Sequence, residues 1–274
     1  MTNHTLYFSD VRVENDSDCS EVDAWLRDHW QGGRRPIVET TKTRSVEVRA
    51  SRDLVIAFDG EIVWHQPRDA TPADAFELVL YRRLLCDHFE RLGVFHGAAL
   101  QTRGTAFVFC GPSGAGKSTL SVAAARRGYH YYSDEFVVTD GSSLWGWPRT
   151  PHFGPDPDST TLPSWLMGIG APDGDGTIRA SVPLDQVATE PANSSRVHFV
   201  SIARGSTTRV VPLAPATAIA RWLEAAFLEP PMSLGGLVGP GRAWQADWRH
   251  PDELLAALER LTLAESHRAN ASAP

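Results

Sequence analysis

Cysteine is scarce in this sequence, and the three that occur are far apart. Cys19, Cys86 and Cys110 show neither a zinc-binding spacing nor the pairing of a disulfide framework. Cys86 falls in an apolar helical stretch and Cys110 ends an apolar strand pattern, so we expect buried, inert thiols rather than nucleophiles. A disulfide-rich scaffold and a cysteine-based metal site are therefore excluded.

Long apolar runs and blocks of basic residues are also missing. No segment approaches the roughly 20 apolar residues of a membrane helix, and the N-terminus lacks the basic and apolar regions of a secretion signal. The net charge is −7, so nothing attracts the chain as a whole to nucleic acid or to an anionic membrane. We expect a cytoplasmic protein without nucleic-acid or membrane partners.

Lysine is the third scarce residue, and its position is informative. Of 26 Lys and Arg residues only Lys42 and Lys117 are lysines. Lys117 lies in Gly-Pro-Ser-Gly-Ala-Gly-Lys-Ser, residues 111–118, which we call the glycine loop. The apolar run 105–110 before it predicts a buried strand, and 119–127 after it predicts a helix ended by Gly128. This strand–loop–helix pattern is typical of a phosphate-binding loop.

The chemistry of such a loop explains its composition. Glycines at positive φ turn successive backbone amides towards an anion, and the start of the following helix adds further N–H donors. Lys117 is expected to contact the β and γ phosphates, and the Ser118 hydroxyl to bind Mg²⁺. A chance glycine turn that binds nothing is the alternative. The predicted nucleotide-binding residues are Gly111, Ser113, Gly114, Ala115, Gly116, Lys117, Ser118 and Thr119.

Two adjacent carboxylates follow the loop helix. Asp134 and Glu135 lie in an apolar stretch, 129–139, which we predict to be one strand. No signature of an ABC-type ATPase occurs, which disfavours a transporter or motor. Phosphoryl transfer needs a base near the acceptor hydroxyl, and Asp134 is the candidate. The alternative is a metal ligand of an ATPase whose acceptor is water.

Residues 96–138 resemble the core of the HPr serine kinase/phosphorylase family. The similar pieces are a His-Gly start, a strand, the glycine loop, a helix ending in Arg127-Gly128, and a strand carrying Ser133-Asp134-Glu135. The resemblance extends to the compact kinases found with lasso-peptide and other ribosomal-peptide genes. It implies an α/β (α+β) fold: a mixed-sheet P-loop kinase core of the phosphoenolpyruvate carboxykinase/HPr kinase type.

The resemblance also implies roles for individual residues, with ATP and Mg²⁺ as cofactors. Lys117 and Ser118 correspond to nucleotide and metal ligands, and Asp134 to the carboxylate that takes the proton of the acceptor. Glu135 stands where the family usually has Asp and would help hold Mg²⁺. His96 corresponds to a histidine that orients or polarises Asp134, although a structural histidine is equally compatible. Family members are often oligomeric, which suggests a homo-oligomer.

The predicted organisation is a small β-rich N-terminal module, 1–70, followed by the catalytic domain, 71–274. Asp59-Gly60 predicts a β-hairpin turn. Composition predicts long surface loops over 140–195, and 264–274 is expected to be a frayed tail. The remaining predicted elements are a helix over 73–92, strands over 96–100, 197–202 and 209–212, and helices over 215–228 and 251–263.

Several residues near the predicted active-site loops have two interpretations. Arg149 could clamp a phosphate or a substrate carboxylate, or be an ordinary surface arginine. Trp145, Trp147 and Trp165 could grip a peptide, or simply pack. Together these patterns predict a kinase that transfers the γ-phosphate of ATP to a hydroxyl, on a serine of a peptide or small protein. HPr itself, a small-molecule acceptor and a nucleotide-sensing module without turnover are the alternatives.

Overall fold

A computed structural model describes residues 2–30, 38–67, 71–88, 91–147, 149–153, 178–180, 182–227, 237–239 and 241–271. Of the predicted loop region 140–195, residues 154–177, with Trp165, lie outside these residues. Within the described part the chain forms 17 strands, five α-helices and two short 3-10 helices. No helix in this part is both long and apolar enough to cross a membrane.

The first five strands form a sheet of their own, in the order β1-β2-β3-β4-β5. Its pairs are antiparallel except for β2 with β3, which are joined by helix α1, a helix that the sequence did not predict. The predicted hairpin is confirmed, since Asp59 and Gly60 have φ of 53° and 81°, as a type I′ turn requires. The bounds are β1 Thr2–Phe8, β2 Val11–Ser17, α1 Ser20–His29, β3 Lys42–Ala50, β4 Asp53–Phe58 and β5 Glu61–Pro67.

Helix α2 (Pro72–His88) leads from this sheet into the rest of the chain, which contains a six-stranded mixed sheet. The order is β16-β17-β15-β8-β7-β9, and β17, β15, β8 and β9 all run in the same direction. The bounds are β7 Ala98–Thr102, β8 Thr105–Cys110, β9 His130–Ser133, β15 Val197–Arg204, β16 Arg209–Pro212 and β17 Ala243–Trp248. The predicted mixed α/β architecture is confirmed at this level.

Helices cover both faces of the six-stranded sheet. Phe107 and Phe109 of β8 pack in one cluster with Leu120 of α3 (Lys117–Arg126) and Leu254 of α5 (Pro251–Ala271). The alternate residues of β8 belong to a second cluster, which includes Trp222 of α4 (Pro215–Glu224) and the buried apolar side chains of β1–β4. This apolar core therefore continues across residue 70. The division into modules at that residue stays a prediction.

A third sheet of four strands, in the order β14-β11-β10-β6, corrects two of the strand predictions. The apolar stretch 129–139 is two strands, with Asp134 and Glu135 between them. The predicted strand 96–100 is also divided, at Gly97. Both breaks occur where the chain passes from one sheet to the other. The bounds are β6 Gly93–His96, β10 Phe136–Thr139, β11 Ser143–Gly146 and β14 Ala192–Asn193, and a small pair is made by β12 His152–Phe153 and β13 Ile178–Arg179.

Other boundaries also differ from expectation. The predicted tail was wrong for most of its length, because α5 continues to Ala271. The sequence prediction missed β17 altogether. The prediction of a buried Cys86 was wrong, because this residue is exposed; Cys110 is buried as expected, and Cys19 is buried too. Cys86 follows the exposed residues Arg82 and Arg83 on the outward side of α2, where a helical apolar pattern does not require burial.

Candidate functional site

The glycine loop joins the end of β8 to the start of α3, so the strand and helix expected on either side of it are both present. Gly114 and Gly116 have φ of 77° and 90°, in the left-handed region that glycine adopts without strain. At Gly111 the constraint is space, because a Cβ there would lie 2.5 Å from the carbonyl oxygen of Ile202. Two of the three glycines are therefore needed for their backbone conformation, and the third for lack of space.

Trp248, the last residue of β17, packs against the loop from outside. Its Nε1 donates a hydrogen bond to the carbonyl oxygen of Ala115 at 3.0 Å. A Cβ on Gly116 would lie 2.3 Å from Trp248 Cζ2, so the indole occupies the space that any side chain would need. Trp248 is completely buried. Nothing in the local sequence marks it as a partner of a loop 130 residues earlier.

Lys117 begins α3 and folds back over the loop. Its Nζ donates to the carbonyl oxygens of Gly111 at 3.0 Å and Pro112 at 3.4 Å. Only 8 % of the residue is exposed, and burial lowers its pKa below the usual value. The N-terminus of α3 has no side-chain cap and no acidic residue in its first turn. A buried cation at the positive end of a helix dipole is an unfavourable arrangement that a bound anion would relieve.

Asp134 and Glu135, which we call the acidic turn, lie at the same edge of the sheet as the glycine loop. Strands β8 and β9 run parallel on either side of β7, so their carboxyl ends are about 10 Å apart. The acidic turn also contacts the backbone beside the loop, since Gly97 N–H donates to the carbonyl oxygen of Glu135 at 3.1 Å. The negative charges of Glu135 and Asp134 raise the pKa of Lys117, against the larger effect of burial.

Asp134 is buried, with 3 % of the residue exposed, and it contacts Tyr131 of β9. The Tyr131 hydroxyl donates to Asp134 Oδ1 at 3.0 Å and also lies within hydrogen-bonding distance of the Arg149 carbonyl oxygen. Burial, and then the charge of Asp134, raise the pKa of Tyr131 well above its usual value. Tyr131 therefore remains a protonated donor beside the carboxylate. Sequence patterns gave no reason to single it out.

Glu135 is held from two sides. His96 Nδ1 lies 3.3 Å from its Oε1, and Arg149 Nη1 lies 3.5 Å from its Oε2. The ion pair of His96 is thus with the second carboxylate of the acidic turn, and its predicted role beside Asp134 stays a prediction. The side chain of His96 is 40 % exposed, which leaves it accessible at the rim of the site.

The interpretation of Arg149 as a surface residue was wrong. Its side chain is 8 % exposed, and Nη2 pairs with Glu77 Oε1 of α2 at 2.8 Å. The guanidinium also lies 5.9 Å from the ring centroid of Tyr81. Arg149 thus links a helix that precedes the core to the acidic turn. Glu77 had not been recognised, because one glutamate on an amphipathic helix carries no signal of a partner 72 residues away.

The remaining predicted residues are divided between the surface and the core. Ser113 and Gly114 are exposed, and Ser118 and Thr119 are partly exposed, so this side of the loop is accessible to a ligand. Trp145 and Trp147 are buried, and both indole nitrogens donate to Ser9 Oγ at 2.9 Å. They fasten the N-terminal sheet to the core and are not available to grip a peptide.

No ready-made metal cage is present in the described residues, where no group of three or more His, Cys, Asp and Glu side chains is suitably arranged. Magnesium in nucleotide sites is usually held by one or two protein oxygens together with phosphates and water. The Ser118 hydroxyl and the carboxylates of the acidic turn are the protein oxygens at this edge of the sheet, so these residues fit a nucleotide-bound Mg²⁺.

No protein-family model matches the sequence, and no curated protein matches it either. Among solved structures, the HPr(Ser) kinase/phosphatase from Coxiella burnetii aligns with 66 % of this chain and 99 % of that one. The two are 18 % identical, with a TM-score of 0.30. A similarity at this level says nothing about activity, which has to be judged from the residues of this chain.

Proposed function

We propose that the chain is an ATP- and Mg²⁺-dependent phosphotransferase with a hydroxyl as acceptor. One observation supports this most strongly: the buried ammonium of Lys117 lies at an uncapped helix start, within electrostatic range of two carboxylates. The ammonium at the helix start favours a bound anion, and the two carboxylates favour a divalent cation. A nucleoside triphosphate with Mg²⁺ satisfies both requirements at once.

The glycine loop would hold the phosphates through Gly111, Ser113, Gly114, Ala115, Gly116, Lys117, Ser118 and Thr119. Ser118 and Glu135 would hold the metal, with Arg149 and His96 fixing the orientation of the Glu135 carboxylate. Bound Mg²⁺ and ATP supply the transferable phosphoryl group and neutralise part of its charge. Lys117 would exchange its bonds to the loop carbonyls for bonds to phosphate oxygens.

Asp134 would act as the base that accepts the proton of the attacking hydroxyl. Its hydrogen bond from Tyr131 restricts one carboxylate oxygen and so orients the other. His96, partly exposed at the rim, would contact the acceptor or the phosphate from the other side of Glu135. Arg149 would position Glu135 rather than touch the substrate, since the arginine is buried between two carboxylates.

For the acceptor we propose a serine of a peptide or small protein, as in the family that residues 96–138 resemble. The compact kinases of ribosomal-peptide biosynthesis are the proposed branch, with HPr and small-molecule kinases as alternatives. A nucleotide-sensing module without turnover is a second candidate. The burial of Asp134 favours that candidate, because an acceptor hydroxyl has to reach a carboxylate that is only 3 % exposed.

Transfer of the labelled γ-phosphate of ATP to serine-containing peptides tests the proposal. We expect transfer with the unmodified chain and a loss of roughly 1,000-fold in Asp134→Asn, within the range for removal of a general base. ATP affinity should stay within about twofold in that variant. Tight ATP binding without transfer to any peptide, protein or small alcohol would favour the sensing module instead.

A further inference from the structure

Two residues, Arg204 and Trp248, lie beside the glycine loop on the side away from the acidic turn. Strand β15 pairs with β8 so that Ser201 is opposite Cys110, and it continues for three residues, about 10 Å, past the end of β8. Its last residue, Arg204, is opposite Trp248 of β17. These two residues therefore form a wall next to the loop.

The two side chains are stacked. The guanidinium carbon of Arg204 lies 3.8 Å from the centroid of a Trp248 ring, a close cation–π contact. Trp248 is completely buried and Arg204 is exposed, so a ligand approaching this wall meets the guanidinium first. Arg204 also donates from Nη1 to the carbonyl oxygen of Arg249 at 3.5 Å, which helps fix the plane of the stack.

This stack reaches the rim of the loop. A Cβ placed on Gly116 would lie 3.2 Å from Arg204 Nε, and Trp248 is bonded to Ala115. Since Gly116 precedes the first turn of α3, the guanidinium stands next to the point where the phosphate chain would leave the loop. Its plane is held by the protein before any ligand arrives.

The orientation of a bound nucleotide follows from the different residues that lie on the two sides of β8 in the sheet. The terminal phosphate and Mg²⁺ belong on the β9 side, where the acidic turn and the Lys117 ammonium interact. The nucleoside must then extend towards β15 and β17. The exposed Arg204–Trp248 stack lies in that direction.

We propose that the Arg204–Trp248 stack is the nucleobase subsite, in which the aromatic base of a nucleoside triphosphate stacks on the Arg204 guanidinium. This inference deepens the proposed function and rests on it. A planar guanidinium offers a flat cationic surface to any base, whereas a lysine ammonium does not. Stacking of this kind is tolerant of base identity, so ATP and GTP should both be bound.

Calorimetric binding of ATP and of inorganic tripolyphosphate tests the subsite, because the second ligand has neither base nor ribose. Arg204→Lys keeps the charge and removes the planar surface. We expect it to weaken ATP roughly 10-fold and to leave tripolyphosphate within about twofold. Arg204→Ala should lower ATP affinity by at least as much. Arg221→Ala, an exposed arginine on α4 paired with Glu224, is the matched control and should change neither affinity.

Equal weakening of both ligands by Arg204→Lys would overturn the subsite, as would no change in ATP affinity. Thermal unfolding of each variant shows whether a loss reflects a damaged fold. Lys117→Ala separates this inference from the proposed function, because it should weaken ATP and tripolyphosphate alike. If neither ligand binds the unmodified chain, the proposed function fails; if both bind and only the Arg204 result fails, the glycine loop stands without this subsite.

Discussion

The glycine loop and the acidic turn are held in different ways. The loop is a contiguous segment whose shape follows from its own glycines, with Trp248 as its main remote support. The acidic turn is two residues whose partners come from four other places in the chain: Glu77 through Arg149, His96, Tyr131 and Arg149 itself. Local sequence therefore determines most of the shape of the glycine loop, whereas the surroundings of the acidic turn depend on tertiary packing.

The largest expected effect concerns Arg149. Arg149→Met would leave the carboxylates of Glu77 and Glu135 without their shared guanidinium, in a largely buried place. We expect the free energy of unfolding to fall by about 3 kcal/mol, as when one partner of a buried ion pair is removed. Urea unfolding measures this.

Arg221→Met is the control for that variant, because Arg221 is exposed and an exposed ion pair contributes about 0–1 kcal/mol. Adding Glu77→Gln to Arg149→Met should recover part of the loss, since one of the two uncompensated charges is then removed. Equal stability of the two arginine variants would show that the acidic turn does not depend on Arg149.

The next effect concerns the glycine loop, where alanine substitutions at two glycines distinguish the cost of backbone strain from the cost of a steric clash. Gly114→Ala adds a Cβ in open space at φ of 77°, and it should destabilise by about 1 kcal/mol through backbone strain. Gly116→Ala has similar strain and its Cβ also meets Trp248, so we expect a further loss of about 1 kcal/mol. Unfolding midpoints of the two variants would distinguish them. Equal midpoints would mean that Trp248 moves aside without cost.

Ligand binding by the loop should depend on one of the two lysines. Lys117→Ala removes a charged hydrogen-bond donor to phosphate and should lower ATP affinity roughly 10- to 100-fold. Lys42→Ala removes the same charge from the N-terminal sheet, where Lys42 pairs with Asp87, and should leave affinity unchanged. Calorimetry of both variants provides the comparison, and equal affinities would contradict the role of Lys117.

The smallest effect concerns the Tyr131 hydroxyl beside Asp134. Tyr131→Phe removes the hydrogen bond to Asp134 and should lower stability by about 1–2 kcal/mol, because a buried carboxylate loses a donor. Tyr129→Phe removes a bond to Glu259, which is 29 % exposed and can be rehydrated, so it should lower stability less. Thermal unfolding compares the pair. A larger loss in Tyr129→Phe would contradict this ranking.

Much of the loop side could be predicted from the sequence, because positive-φ glycines, an apolar strand and a helix start are all local signals. For the acidic turn, the sequence indicated that Asp134 and Glu135 were candidates, but not that they form a turn between two strands. The sequence does not indicate the break between β9 and β10, because apolar residues on both sides of it are compatible with one long strand as well as with two short ones. Arg149 was misjudged for a related reason: its burial depends on Glu77 and Tyr81 of a helix packed against it.

A crystal structure with Mg²⁺ and a non-hydrolysable ATP analogue is the most direct test of the central claim that the two regions form one site. We expect the phosphates in the glycine loop, the metal between Ser118 and the acidic turn, and the γ-phosphorus facing Asp134. A terminal phosphate directed towards β15 and β17, with Asp134 and Glu135 facing away from it, would contradict the account.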